Sequence, residues 1–166
     1  MDDRFFMRQA LIEAERAFSS GEFPVGCVLV HENEILVRAA RAGTSQNMAN
    51  EIDHAEMIAL RRLLSLGKKI VLENTVLYCT MEPCLMCFGA ILLSGIGRIV
   101  YAYEDVMGGA SRCDPAHLPL LYRNRPISIV PHVLRRESLA LFKAYFSNPE
   151  NTYWKHSLLA DYTLNQ

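Results

Sequence analysis

Residues 75–102, TVLYCTMEPCLMCFGAILLSGIGRIVYA, contain the clearest indication of the fold. The first six residues are mostly β-branched, aromatic or apolar, and this composition predicts a strand over 75–80. Pro83 suits the first turn of a helix that runs to about Ser94, and residues 98–102 predict a second strand. Because a helical crossover joins parallel strands, this unit predicts a sheet that is at least partly parallel.

The rest of the chain extends this unit on both sides. Residues 25–31 and 35–40 predict two strands of a hairpin with a tight turn at 32–34, and residues 127–130 predict a fifth strand. Apolar spacing predicts further helices over 4–19, from an Asp53 cap to Leu66, over 134–146 and, more weakly, over 154–164, with a short helical piece at 117–122. The predicted fold class is α/β: a three-layer α/β/α sandwich with a five-stranded mixed sheet and a cleft at its carboxyl edge.

Length and composition indicate one ordinary globular domain. The 166 residues are 51% hydrophobic and 21% charged, which is enough to bury a core. We expect residues 1–166 to form a single domain, with 147–166 as a C-terminal extension packed on it. Seventeen basic residues against eighteen acidic ones give a net charge of -1, which argues against a dominant phosphate-binding surface.

The cellular setting follows from the first residues and the cysteines. The charged start, residues 1–4, is not followed by an apolar segment, and no stretch is long enough to span a bilayer. Five cysteines, an odd number, stand in a chain that does not need disulfides. These features predict a cytoplasmic protein without a membrane segment and direct attention to metal-binding or catalytic thiols.

Two short motifs carry the chemistry. His54-Ala55-Glu56 begins one predicted helix, and Pro83-Cys84-Leu85-Met86-Cys87 begins another. Cysteines three positions apart lie on the same side of a first helical turn, where the helix dipole favours their thiolate form. Two soft thiolates with an imidazole select zinc over magnesium or calcium. The sequence therefore predicts one Zn²⁺ per chain, bound by His54, Cys84 and Cys87.

A metal with three protein ligands keeps its fourth position open, which is typical of catalytic zinc. Zinc lowers the pKa of a bound water, which then supplies hydroxide as a nucleophile near neutral pH. Glu56, two residues after His54, can take a proton from that water and deliver it elsewhere. The combination H-x-E with P-C-x-x-C is the signature of zinc nucleobase deaminases. We therefore predict Glu56 as the catalytic residue of a hydrolytic deaminase.

Three other interpretations of the motifs remain. A closed structural zinc site would need Cys113 or another histidine as a fourth ligand, but the sequence has no second C-x-x-C or H-x-x-x-H. A redox-active C-x-x-C pair would not need an H-x-E motif, so the presence of His54-Ala55-Glu56 argues against a redox role. A catalytically silent zinc scaffold or RNA-binding subunit would be expected to lack the glutamate, and Glu56 is present.

Several segments resemble the cytidine deaminase superfamily, and within it the bacterial tRNA adenosine deaminase branch. Besides the two motifs, they are FPVGCVLV at 23–30, TMEPCLMC at 80–87, GIGRIVY at 95–101 and GGA at 108–110. The resemblance spans about residues 5–146 and implies a homodimer that acts on a nucleobase. It also implies zinc ligands at His54, Cys84 and Cys87, a proton shuttle at Glu56, and backbone groups near Ala55 that hold the base edge.

One position departs from this resemblance. After the second strand the family usually has an asparagine that contacts the base, and here that position is Arg41, with Asn47 and Asn50 nearby. Arginine only donates hydrogen bonds, so it cannot replace the amide, but it could bind a phosphate or carboxylate of the substrate. The alternative is that Arg41 is only a solvated side chain.

Two substrate classes therefore stay open. The resemblance implies adenosine in a tRNA loop, which would become inosine. Arg41 and the charge balance favour a free base, nucleoside or nucleotide of guanine, adenine or cytosine type.

Overall fold

The structure is a computed structural model that describes residues 2–45 and 49–166. The described residues form one sheet in the order β2-β1-β3-β4-β5. Strand β1 is antiparallel to β2 and β3, whereas β3, β4 and β5 are parallel. The strands are β1 (Gly26–His31), β2 (Glu34–Ala40), β3 (Thr75–Met81), β4 (Arg98–Tyr103) and β5 (Ser128–Val130). The predicted five-stranded mixed sheet is confirmed.

Helices cover both faces of this sheet. Alternate residues of β1 point to opposite sides: Cys27 and Leu29 join the core under α2 and α3, and Val28 and Val30 join the core under α1. The α-helices of the described chain are α1 (Asp3–Ser19), α2 (Ala55–Ser65), α3 (Leu85–Ser94), α4 (Leu120–Arg123), α5 (Arg135–Ser147) and α6 (Leu158–Leu164). The predicted three-layer α/β/α sandwich is confirmed. No helix in the described ranges is both long and apolar enough to cross a membrane.

The predicted cap of α2 is wrong. The N-cap is His54, with φ -63° and ψ 150°, and α2 begins at Ala55. The carboxylate of Asp53 instead accepts hydrogen bonds from Arg61 at 2.6 Å and from the Asn50 amide at 2.7 Å. Arg61 and Asn50 therefore hold the Asp53 carboxylate, and His54 takes the N-cap position at the start of α2.

Two other helix starts also differ from the prediction. Cys84, rather than Pro83, immediately precedes α3 as its N-cap. The last helix, α6, does not include Trp154, which has φ 59° in the left-handed region. It begins at Leu158, after the N-cap Ser157, whose hydroxyl accepts a hydrogen bond from the Ala160 amide at 3.1 Å.

Residues of the C-terminal segment make contacts with the sheet and α5. Leu159 and Ala160 are buried, and the hydroxyls of Tyr103 and Thr163 are hydrogen-bonded at 2.9 Å. The carboxylate of Glu104, at the end of β4, accepts hydrogen bonds from Arg135 of α5 and from Tyr162 of α6. One carboxylate thus links a strand to both helices.

This link predicts a stability difference that depends on pH. Although burial opposes it, the hydrogen bonds from Arg135 lower the pKa of Glu104 from 4.5 to about 2. A lowered folded-state pKa contributes stability that is fully present above the unfolded value and is lost as the pH falls toward 2. We expect Arg135→Gln to reduce the free energy of unfolding at pH 7 by roughly 1.5–3 kcal/mol, and this difference should shrink between pH 4.5 and 2.

Urea unfolding at several pH values measures this difference. The matched control is Arg136→Gln, because Arg136 is the exposed neighbour on the same helix. An equal loss in both variants, or a difference that does not change with pH, would contradict the assigned role of Glu104.

Candidate active site

The predicted metal ligands come together between two helix starts. His54 precedes α2, Cys84 precedes α3, and Cys87 lies in the first turn of α3. The Nδ1 atom of His54 lies 3.5 Å from the Sγ atom of Cys84 and 3.5 Å from that of Cys87. Ligands about 2.0 Å (N) and 2.3 Å (S) from a tetrahedral zinc ion would stand roughly 3.5 Å apart. The donor set and its spacing therefore fit one zinc ion.

The two thiols have opposite pKa shifts. The hydrogen bond from Cys87 lowers the pKa of Cys84 to about 4, and contact with His54 acts in the same direction. The same hydrogen bond, together with burial, raises the pKa of Cys87. The pair therefore offers a thiolate at neutral pH, which is the form of cysteine that binds a metal.

Among the described residues, one group of side chains is spaced to hold a metal ion, and it consists of His54, Cys84 and Cys87. Cys113, which the closed-site interpretation would need as a fourth ligand, does not belong to this group. The donor set therefore has three members, as expected for a catalytic rather than a closed site.

Glu56 lies beside these ligands in the first turn of α2. Its side chain is buried, with 3% of the residue exposed, and burial raises the pKa of its carboxyl group. A buried carboxyl group with a raised pKa in a cleft is a candidate for general acid–base catalysis.

These groups open into one cavity of about 310 Å³. His54, Glu56 and Cys84 line it, together with Met81 at the end of β3 and Asp105 beyond the end of β4. The cleft that the sequence predicted at the carboxyl edge of the sheet is confirmed. The volume is at the lower end of the roughly 300–1,000 Å³ range of small-molecule sites.

The sequence analysis missed the role of Glu82. Its carboxylate accepts hydrogen bonds from the Asp105 amide at 3.0 Å and from the Ser111 amide and hydroxyl at 3.0 and 2.6 Å. The Ala110 amide donates to the Pro83 carbonyl at 3.0 Å. Glu82 thereby holds residues 105–111, the glycine-rich loop that contains Gly108 and Gly109, against the start of α3. The available signal was a charged residue directly between a buried strand and the Pro-Cys motif.

The loop approaches so closely that Gly109 leaves no room for a side chain. A Cβ atom there would lie 2.4 Å from the Glu82 carboxylate and 2.6 Å from the Asp105 carbonyl. We expect Gly109→Ala to lower the free energy of unfolding by roughly 1–3 kcal/mol. It should also weaken zinc retention, because the added methyl group displaces Glu82, which lies two residues before Cys84. Thermal unfolding and zinc content measure both effects.

Gly89→Ala, on α3, is the matched control. A Cβ atom at Gly89 meets nothing within 4 Å, and alanine is the better helix former. This variant should be as stable as the wild type or slightly more so. If Gly109→Ala behaves in the same way, the close approach does not constrain the site.

Arg41 also lines the cavity, but it is not solvated. Its side chain is only 2% exposed. Its guanidinium donates to the Ala42 and Asp53 carbonyls at 2.6 and 2.9 Å, and Nη2 lies 3.5 Å from the Tyr153 hydroxyl. The alternative of a solvated side chain is therefore wrong. Direct contact between Arg41 and a substrate stays a prediction.

The other candidate substrate contacts have different outcomes. The side-chain amide of Asn50 donates to the Asp53 carboxylate and accepts from the backbone amides of Ile52 and Asp53. Its hydrogen bonds are thus made within its own loop. Asn47 lies outside the described residues. Ala55 is fully buried at the start of α2, and its role in holding a base edge stays a prediction.

The fold and the His-Cys-Cys site with its adjacent glutamate define a zinc-dependent hydrolytic deaminase. Residues 1–103 match the family model of the cytidine and deoxycytidylate deaminase zinc-binding region, and the chain belongs to this family. Its reaction is the hydrolytic removal of an amine from a nucleobase.

Relatives from bacteria are similar over nearly the whole chain. A tRNA-specific adenosine deaminase of Bacillus subtilis (strain 168) is 34% identical over 147 residues, which cover 87% of this chain and 88% of the relative. A tRNA-specific adenosine deaminase of Buchnera aphidicola subsp. Schizaphis graminum is 35% identical over 152 residues, which cover 88% of this chain and 95% of the relative.

Solved structures show the same architecture. A chain from work on A-to-I editing by tRNA:A34 deaminases at the wobble position of transfer RNA superposes with a TM-score of 0.64 at 30% identity. It covers 76% of this chain and 96% of its own length. A mutant protein in complex with 8-azaguanine superposes with a TM-score of 0.66 at 18% identity. The superposition covers 86% of this chain and 83% of the mutant protein. At that identity the likeness concerns the fold.

Proposed function

We propose that this protein deaminates adenosine in a tRNA loop to inosine. The observation that carries the proposal is a buried glutamate, Glu56, on a cavity of about 310 Å³ beside His54, Cys84 and Cys87, whose ligand atoms are spaced to hold one zinc ion. The extended similarity to relatives named tRNA-specific adenosine deaminases supports the choice of substrate.

The residues of the site have separate tasks in this reaction. His54, Cys84 and Cys87 would hold zinc, which supplies an acidic, reactive water. Glu56 would take one proton from the water and pass it to N1 of the base as the water oxygen attacks C6. It would then carry the remaining proton of that oxygen to the amine on C6, which leaves as ammonia while the oxygen stays on the ring. Adenosine and water thus give inosine and ammonia.

A second candidate substrate is a free base, nucleoside or nucleotide. The observation in its favour is the charge of the cavity lining, which contains the carboxyl groups of Glu51, Glu56, Glu82 and Asp105 but only one guanidinium group, that of Arg41. Carboxylates at a site repel the phosphates of an RNA backbone. Ammonia release from a panel of bases, nucleosides, nucleotides and tRNA, with inosine measured in the tRNA, separates the two candidates. Turnover restricted to small molecules would reject the tRNA proposal.

We further propose that the protein is a homodimer. Four exposed leucines on two neighbouring helices support this: Leu85 and Leu93 on α3, and Leu120 and Leu121 on α4, each between 49% and 70% exposed. Apolar patches of this kind mark interaction sites. Light scattering after gel filtration should give twice the chain mass, and a Leu120→Glu, Leu121→Glu variant should be monomeric.

The domain boundary and the setting in the cell are also proposals. Residues 1–166 would fold as one domain, supported by the contacts of α6 with α5 and β4. A reducing, cytoplasmic setting is supported by five cysteines without a disulfide. Limited proteolysis of the intact chain tests the first proposal, since a separate extension would be released.

A further inference from the structure

The C-terminal extension forms one wall of the active-site cavity. Residues 147–166 lie outside the segment that matches the family model. Nevertheless Tyr153, Trp154 and Leu159 line the same cavity as His54 and Glu56. A segment that the sequence motifs do not include therefore helps to shape the place where the substrate binds.

This wall is aromatic. The ring centroid of Tyr153 lies 5.3 Å from that of Phe23 and 5.7 Å from that of Trp154, both with edge-to-face geometry. The row runs from Phe23, which is 6% exposed in the core, to Trp154, which is 40% exposed. Trp154 therefore stands at the rim of the cavity with part of its indole free.

Polar contacts hold this wall in place. The Tyr153 hydroxyl donates to the Glu51 carboxylate at 2.8 Å and lies 3.5 Å from Nη2 of Arg41. Trp154 itself has φ 59°, a conformation that is costly for a bulky residue and persists only where its surroundings enforce it. The indole is thus presented to the cavity by a fixed backbone.

We propose that Trp154 binds the substrate by stacking on its nucleobase. Flat aromatic rings are the usual platform for bases of any sequence. Much of the remaining apolar lining comes from Met81, Met86 and Met107, whose thioethers also pack well against aromatic rings. The proposal rests on the proposed function only in requiring that the substrate carry a nucleobase.

The sequence contains one tryptophan, so its fluorescence reports on this position alone. We would titrate zinc-loaded Glu56→Gln protein, which binds without turnover, with adenosine and with a short RNA hairpin that has adenosine in its loop. Each ligand that binds should quench the emission of Trp154, with the same Kd as calorimetry gives. Trp154→Ala should weaken binding about 5- to 150-fold, and Trp154→Phe should recover most of the affinity.

The matched control is Leu158→Ala, which removes another exposed apolar side chain of the extension that does not line the cavity. Its affinity should equal that of the parent. Binding without quenching, together with an unchanged Kd in Trp154→Ala, would overturn the inference. Quenching by adenosine but not by the hairpin would keep the inference and reject the tRNA substrate. If neither ligand binds, the tRNA proposal fails, and the same titration with guanosine and cytidine decides the stacking inference, which is overturned if neither of them binds with quenching.

Discussion

Glu56→Gln is expected to keep the fold and the zinc but to lose nearly all turnover. Glutamine has almost the same shape as glutamate, so it fills the same buried position in the first turn of α2. It cannot accept or return a proton. A general acid–base group typically contributes about 10²–10⁴-fold. In the proposed reaction Glu56 serves more than one proton transfer, so we expect a loss in the upper part of that range.

The rate of ammonia release measures this loss, with zinc content and circular dichroism measured on the same sample. Glu137→Gln is the matched control, because Glu137 is an exposed glutamate in the first turn of α5. Its turnover should equal that of the wild type. A Glu56→Gln protein with near wild-type rates would mean that another group moves the protons.

The double variant Cys84→Ala, Cys87→Ala is expected to lose its zinc, from about one ion per chain to almost none. It removes two of the three side chains whose ligand atoms lie within 4.8 Å of one another. An imidazole alone does not hold zinc against dilution, because affinity depends on the number and charge of the ligands. Turnover should disappear with the metal.

Metal analysis after gel filtration decides this prediction. Cys113→Ala is the control, because Cys113 is partly buried but does not belong to the ligand group. It should keep its zinc, whereas a loss there would revive the closed site with a fourth cysteine ligand. Zinc retained in full by the double variant would place the metal elsewhere in the chain.

Arg41 illustrates how a sequence prediction can identify the right position without its contacts. The comparison of Arg41 with the family asparagine drew attention to a residue that does line the cavity. Its partners, however, are two nearby carbonyls and, 112 residues along the chain, Tyr153. Arg41 therefore acts at least as a support for the aromatic wall.

The layered fold was predictable from the sequence alone. Within 75–102, the composition of the two apolar segments and the proline between them indicate strand, helix and strand, which imply a crossover between parallel strands. The pairing of Cys84 with Cys87 follows from their spacing, since i and i+3 positions share one side of a helical turn. His54 and Glu56 were identified by the H-x-E and P-C-x-x-C signature. The meeting of His54, Cys84 and Cys87 at one place was therefore predictable without coordinates, and the roles of these residues and of Glu56 stay predictions.

The surroundings of these groups follow from tertiary contacts. Arg61 and Asn50 each bind one oxygen of the Asp53 carboxylate, which does not cap α2, and the placement of the glycine-rich loop depends on the hydrogen bonds that buried Glu82 accepts. The aromatic wall depends on how residues 147–166 return to the cavity. Many of these contacts join residues far apart in sequence, and their geometry is set by packing and by the donors available to each carboxylate. No local pattern encodes that outcome.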